Sequence, residues 1–254
     1  MQTERYVRGY SNSIADRLRA DLDTVKGLVM AVFAGLLVMF VGFRVLPVEG
    51  TPLLAKVMCL LSLTIATAGV GCYVGRRLEG WLPIIGLLIL SIIGMFIIRA
   101  AGGGYVATGL LVGWGFINGM MLGPLVALVV REEGPTIVLQ ALTGTTAVML
   151  ATGAFALVTG MDFSFFAPFL IIALIGLIVA SLVRIFVRFS RTGNLLYSAI
   201  GMVVFAGFFL YDFFKVGRSE NTWEQAVNLT ISLYLTFANF FIYLLQFLVF
   251  SRRR

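Results

Sequence analysis

Asn228-Leu-Thr-Ile-Ser-Leu-Tyr-Leu-Thr-Phe-Ala-Asn-Phe-Phe-Ile-Tyr-Leu-Leu-Gln246 is the stretch whose reading decides the fold. Most of it is apolar. Yet Asn228, Ser232, Thr236, Asn239, Tyr243 and Gln246 recur at spacings of four, four, three, four and three residues. At about 100° per residue the six positions fall within roughly 80° of one another, forming one polar stripe along an otherwise apolar helix. In lipid an unpartnered polar side chain costs free energy, so the stripe should face other protein or a wet cavity. The last helix is therefore expected at the centre of a bundle. Two roles are open to the stripe: interhelical hydrogen bonds alone, which commonly join membrane helices, or a path or site for ions.

The rest of the chain agrees with a membrane setting. Of 254 residues 60% are hydrophobic and 12% charged, and the mean hydropathy is +1.01, which excludes an ordinary soluble domain. The formal net charge is +7. In a membrane chain these arginines read as cytoplasmic anchors, and no basic cluster interleaved with aromatics points to nucleic acid. There is no histidine, which removes the commonest metal ligand and general base. Cys59 and Cys72 lie about 20 Å apart along one expected helix, too far to bridge each other.

Residues 1–24 are polar and lack the apolar core and cleavage site of a signal peptide, so they read as a cytoplasmic lead. Apolar runs follow at Val25–Leu46, Leu53–Gly75, Trp81–Ile98, Tyr105–Val130, Pro135–Thr159, Phe165–Val187, Leu195–Phe214 and Ala226–Phe250. Each suffices to cross about 30 Å of hydrocarbon. The expectation is an all-α polytopic bundle of about eight transmembrane helices, with a membrane domain over 53–250 and a basic tail at 251–254. Eight spans place fourteen of the nineteen Lys and Arg on the face holding both termini. By the positive-inside rule that face is cytoplasmic. Gly115, Gly119 and Gly123 recur every fourth residue, with Gly109 and Gly113 one turn earlier. Small residues at that spacing let two helix backbones approach closely.

Several ordered segments carry a family resemblance. They are Leu60-Leu-Ser-Leu-Thr64, Gly119-Met-Met-Leu-Gly-Pro124, Ala141-Leu-Thr-Gly-Thr-Thr-Ala147 and the Asp162-Phe-Ser164 turn. Leu174-Ile-Gly-Leu-Ile-Val-Ala-Ser181, Phe208-Phe-Leu-Tyr-Asp212 and Leu233 to Leu245 follow. Over roughly residues 54–250 the chain resembles the Bax inhibitor-1/YccA family. The resemblance implies a seven-helix core with the last helix central, preceded here by one additional helix at Val25–Leu46.

It also implies a mechanism, a pH-gated calcium leak in which two aspartates on the last two helices share a proton. Asp212 matches the first aspartate, but Thr236 stands where the second is expected, and the usual Asp-Thr-Gln is Asp212-Phe-Phe214. A threonine can hydrogen-bond Asp212 yet cannot share its proton as a carboxylate would. The departure resembles the bacterial YccA-like branch, whose members are similar to regulators of a membrane-bound quality-control protease.

Asp212 sits at the unfavourable end of the helix macrodipole and needs a partner. Lys215, Arg218 and Arg99 are the candidates, and the result is either a structural ion pair or a lone carboxylate in a cation pathway with Thr236, Asn239, Asn228 and Ser232. Glu132 and Glu133, beside Arg131, read as a solvated loop, without the alternation of oxygens that a calcium loop requires. No metal-ligand spacing or nucleophile elbow supports an enzyme. The expectation is a non-enzymatic regulator without a cofactor, acting on a membrane partner such as a protease complex. The alternative is a calcium leak or exchanger that uses Asp212.

Overall fold

A computed structural model describes residues 51–187 and 189–252. Seven α-helices occupy them: α1 Leu53–Gly75, α2 Trp81–Ala100, α3 Gly104–Glu133, α4 Pro135–Thr159, α5 Phe166–Phe186, α6 Arg191–Arg218 and α7 Trp223–Arg252. All seven are long and apolar enough to cross a membrane, and no strand occurs among the described residues. The additional helix expected at Val25–Leu46 lies outside the described residues.

Local chemistry sets the boundaries. Gly134, with φ of 86°, closes α3, and Pro135 opens α4 at its first position. Proline is tolerated there because that N–H has no helical acceptor. Gly160, with φ of 59°, ends α4 in the left-handed region that favours glycine. The side-chain oxygen of Ser190 accepts the Gly193 N–H at 3.1 Å and starts α6. Consequently α6 extends past the apolar run at both ends, from Arg191 to Arg218, and α7 from Trp223 to Arg252.

The last helix is central. α7 packs against α1, α2, α3, α4 and α6, and no residue from Gln225 to Phe250 is exposed. Tyr234, Phe240, Ile231, Leu233 and Leu245 of α7 are among the largest fully buried side chains. By contrast α2 and α5 turn Ile89, Ile93, Phe96, Phe169, Ile172 and Ile175 outward, as helices at a lipid boundary should.

α1 and α3 make the most extensive contact in the bundle, and its basis is glycine on both sides. A Cβ on Gly119 would land on the Ala68 carbonyl, and one on Gly71 on the Phe116 carbonyl. Gly75 backs onto the Met120 carbonyl, the acceptor that Pro124 leaves without its helical N–H. Gly115 and Gly123 lie in the same crossing. Gly109 and Gly113 do not, since a Cβ at either would meet nothing within 4 Å.

Successive helices run antiparallel, so one end of the bundle collects the start of α1, the α2–α3 turn and the α6–α7 turn. There Asn221 donates to the Thr51 carbonyl at 2.9 Å, and the buried Lys56 ammonium lies 5.2 Å from the Trp223 ring centre. Arg77, Arg131, Arg184, Arg191 and Arg252 belong to the opposite end. Cys59 and Cys72 are both free, on α1.

Candidate functional site

Most serine and threonine hydroxyls in the described helices donate to a carbonyl of their own helix, as Thr64 does to Leu60 and Thr145 to Ala141. This is the usual resolution of a hydroxyl inside a helix. Ser232 and Thr236 depart from it. Both reach from α7 to α6, where the Ser232 hydroxyl donates to Oδ1 of Asp212 at 2.7 Å and the Thr236 hydroxyl to Oδ2 at 2.7 Å. Asp212 is 1% exposed and is the single buried carboxylate among the described residues.

The carboxylate lies six residues before the end of α6. Lys215, one turn on, places Nζ 3.6 Å from Oδ1, with its own side chain 36% exposed. Hydrogen bonds to an ionised acceptor are worth about 1.5–3 kcal/mol each, whereas a pair open to solvent on one side adds little. The two hydroxyls are therefore the main partners of Asp212.

Two expected partners do not reach it. Arg218 lies over the Phe214 ring at 5.4 Å, because six residues along a helix turn it well away from the Asp212 face. Its charge acts on Asp162 in the α4–α5 turn, whose carboxyl is held below the ordinary range chiefly by hydrogen bonds from Ser164 and to a lesser degree by Arg218. Arg99 is exposed near the end of α2 and makes no ion pair with a described residue.

The remaining stripe residues separate into two groups. Asn228, toward the Asp212 end, is half-buried, and its Oδ1 is buried without a hydrogen-bond partner. Asn239 donates to the Leu235 carbonyl of its own helix at 2.8 Å. Beyond it, Tyr243 meets the Tyr197 hydroxyl at 3.0 Å, and Tyr197 in turn reaches the Leu177 carbonyl at 3.4 Å. Either hydroxyl can donate in that pair. Gln246 accepts from Arg184 at 3.3 Å.

Between the two groups lie Phe209 and Phe240, both fully buried, with ring centres 5.7 Å apart. They sit one turn from Asp212 and Thr236 and interrupt the polar stripe. Sequence reasoning placed Ser232 in the stripe but did not pair it with Asp212. Tyr197, Arg184 and the buried, unpartnered Tyr234 hydroxyl carried no signal in a single helix pattern.

Residues 51–253 match the family model described as inhibitor of apoptosis-promoting Bax1. The chain belongs to the Bax inhibitor family. A membrane protein of Vibrio cholerae is 34% identical over 206 residues, covering 79% of this chain and 90% of its own length. Protein lifeguard 4 of Mus musculus is 36% identical over 123 residues, 48% of this chain and 51% of the relative. The Golgi anti-apoptotic protein of Vaccinia virus is 38% identical over 118 residues, 46% of this chain and 49% of the relative. The match to this Bax inhibitor model begins at residue 51, so the region before α1 lies ahead of the family core.

Proposed function

We propose that the chain is a non-enzymatic membrane regulator of the Bax inhibitor type, acting through helix contacts with another membrane protein. A quality-control protease complex of a bacterial inner membrane is the leading partner, and the arginine-rich end of the bundle faces the cytoplasm. One observation carries this reading. The partner of Asp212 at the second aspartate position is a threonine hydroxyl donating at 2.7 Å, so the two-carboxylate arrangement of a proton-operated leak is replaced by a satisfied, single-carboxylate joint. The anti-apoptotic name of the viral relative is consistent with a regulatory role. Crosslinking in native membranes followed by purification should recover membrane subunits of the protease in a defined ratio. Recovery of the chain without a stable partner would count against the proposal.

A calcium leak is the second reading, favoured by the buried Asp212 carboxylate and by the Asn228 Oδ1 on the central helix, one turn from Ser232 and buried without a hydrogen-bond partner among the described residues. Intramembrane carboxylates often mark ion paths. In liposomes loaded with a calcium dye, this reading expects flux that weakens in Asp212→Asn. Flux equal to that of empty liposomes at acidic and neutral pH would exclude it.

A further inference from the structure

We infer that the cleft between α5 and α7 binds an anionic phospholipid, with its phosphate on Arg184. α5 packs on α6, but no Cα of α5 lies within 8 Å of a Cα of α7. The gap holds a cavity of about 290 Å³ lined by α5, α6 and α7. Two features make it a ligand site and not loose packing.

The first is an arginine without a counter-charge. Among the described residues no carboxylate lies within ion-pair distance of Arg184. Its guanidinium is fixed over the Tyr197 ring at 4.4 Å and donates to Gln246 Oε1. A guanidinium has five N–H donors in a planar fork that matches phosphate oxygens. Tyr197 and Gln246 hold the fork in place, and its remaining donors have no acceptor among the described residues. Arg191, bonded through its side chain to the Phe250 and Ser251 carbonyls, adds a second positive charge at the same end of the bundle.

The second feature is depth. Arg184 lies two residues before the end of α5, where a lipid headgroup would sit. Leu177 and Leu174 line the same cavity about two to three turns deeper, where an acyl chain would run. Ile178 and Ser181 line it while being exposed on the outer face of α5, so it opens sideways toward lipid. The cavity is too small for a whole phospholipid, and such an opening lets the second chain stay in the bilayer. Basic pockets between membrane helices near the cytoplasmic side are suited to anionic headgroups.

The test uses the intact chain in detergent with added phosphatidylglycerol, read by native mass spectrometry and by thermal midpoint. Phosphatidylglycerol should remain bound and raise the midpoint, while phosphatidylcholine at equal concentration should not. Arg184→Gln is expected to reduce bound phosphatidylglycerol about tenfold, and Ser181→Trp, which fills the cleft and keeps the arginine, should do the same. Arg77→Gln, on the α1–α2 turn at the same end of the bundle, should leave binding unchanged. Equal retention of the two lipids, or undiminished binding in both cleft variants, would overturn the inference. So would a stabilisation reproduced by inorganic phosphate or glycerol phosphate alone, which would make this a site for a free anion. Should Arg184→Gln fail to fold, Ser181→Trp decides the matter by itself.

Discussion

Gly119→Leu is expected to abolish accumulation of folded protein, while Gly113→Leu on the same helix is expected to leave it intact. The two glycines differ only in what faces them. At Gly119 the first atom of any side chain would land on the Ala68 carbonyl, with further backbone atoms of Ala68 behind it. Backbone of a packed helix cannot turn aside as a flexible side chain does. The helices must separate, and separation breaks the matching contacts of Gly71, Gly75, Gly115 and Gly123. Overpacking a single methylene typically costs about 1–3 kcal/mol, and in lipid no hydrophobic force between helices offsets the loss of close packing. At Gly113 the corresponding space is open. Size-exclusion profiles of detergent extracts, followed by melting of whatever is recovered, will separate the two variants. A monodisperse Gly119→Leu protein that melts with the wild type would show that the α1–α3 crossing is not the anchor of the bundle.

Thr236→Val should cost about 1.5–3 kcal/mol, the largest effect expected of any single hydroxyl in the protein. Valine keeps the shape and removes the donor. Oδ1 of Asp212 retains Lys215 if Ser232 is lost, but among the described residues Oδ2 has only the Thr236 hydroxyl. A buried carboxylate oxygen left without a donor bears its desolvation cost in full. Ser232→Ala is thus expected to destabilise less than Thr236→Val. Thr145→Val provides the contrast, because that hydroxyl only returns to the Ala141 carbonyl of its own helix, and the loss should be about 1 kcal/mol or less. Denaturation in detergent of the three variants orders them. Equal melting of Thr236→Val and Thr145→Val would remove Asp212 from its central place.

Much of this was legible in the sequence, and the omissions have physical reasons. The bounds of α1 and α4 follow from the apolar runs together with Gly134, Pro135 and Gly160, since these residues stop and start helices by backbone chemistry. α6 and α7 extend beyond their apolar runs because Arg191 to Asn194, Lys215 to Arg218 and Trp223 to Gln225 carry charged and polar residues yet are helical, and hydropathy registers lipid exposure, not backbone conformation. The glycine run was only half readable by its spacing of four. Gly115 is two positions beyond Gly113, a rotation of about 200° that puts them on opposite sides of the helix.

Helix rotation likewise separates the two candidate partners of Asp212 on α6. Lys215 shares its face and Arg218 does not, although both are near in sequence. The polar stripe correctly placed α7 inside the bundle, where its residues from Gln225 to Phe250 are all shielded. It could not show the division into two clusters, because Phe209 comes from another helix. Nor could it show the Arg184 cleft, to which three helices contribute. A pattern read along one helix reports which face is polar, and the partner of that face depends on packing.

The joint between α6 and α7 is tested most directly by a double-mutant cycle of Asp212→Leu and Thr236→Val, measured as unfolding free energy in a fixed detergent or bilayer mimic. Close contact predicts a coupling of at least about 1 kcal/mol, with the double variant less damaged than the two single losses combined. Losses that add to within about 0.5 kcal/mol would mean that Asp212 and Thr236 do not hold each other, and would contradict the arrangement described for the centre of this protein.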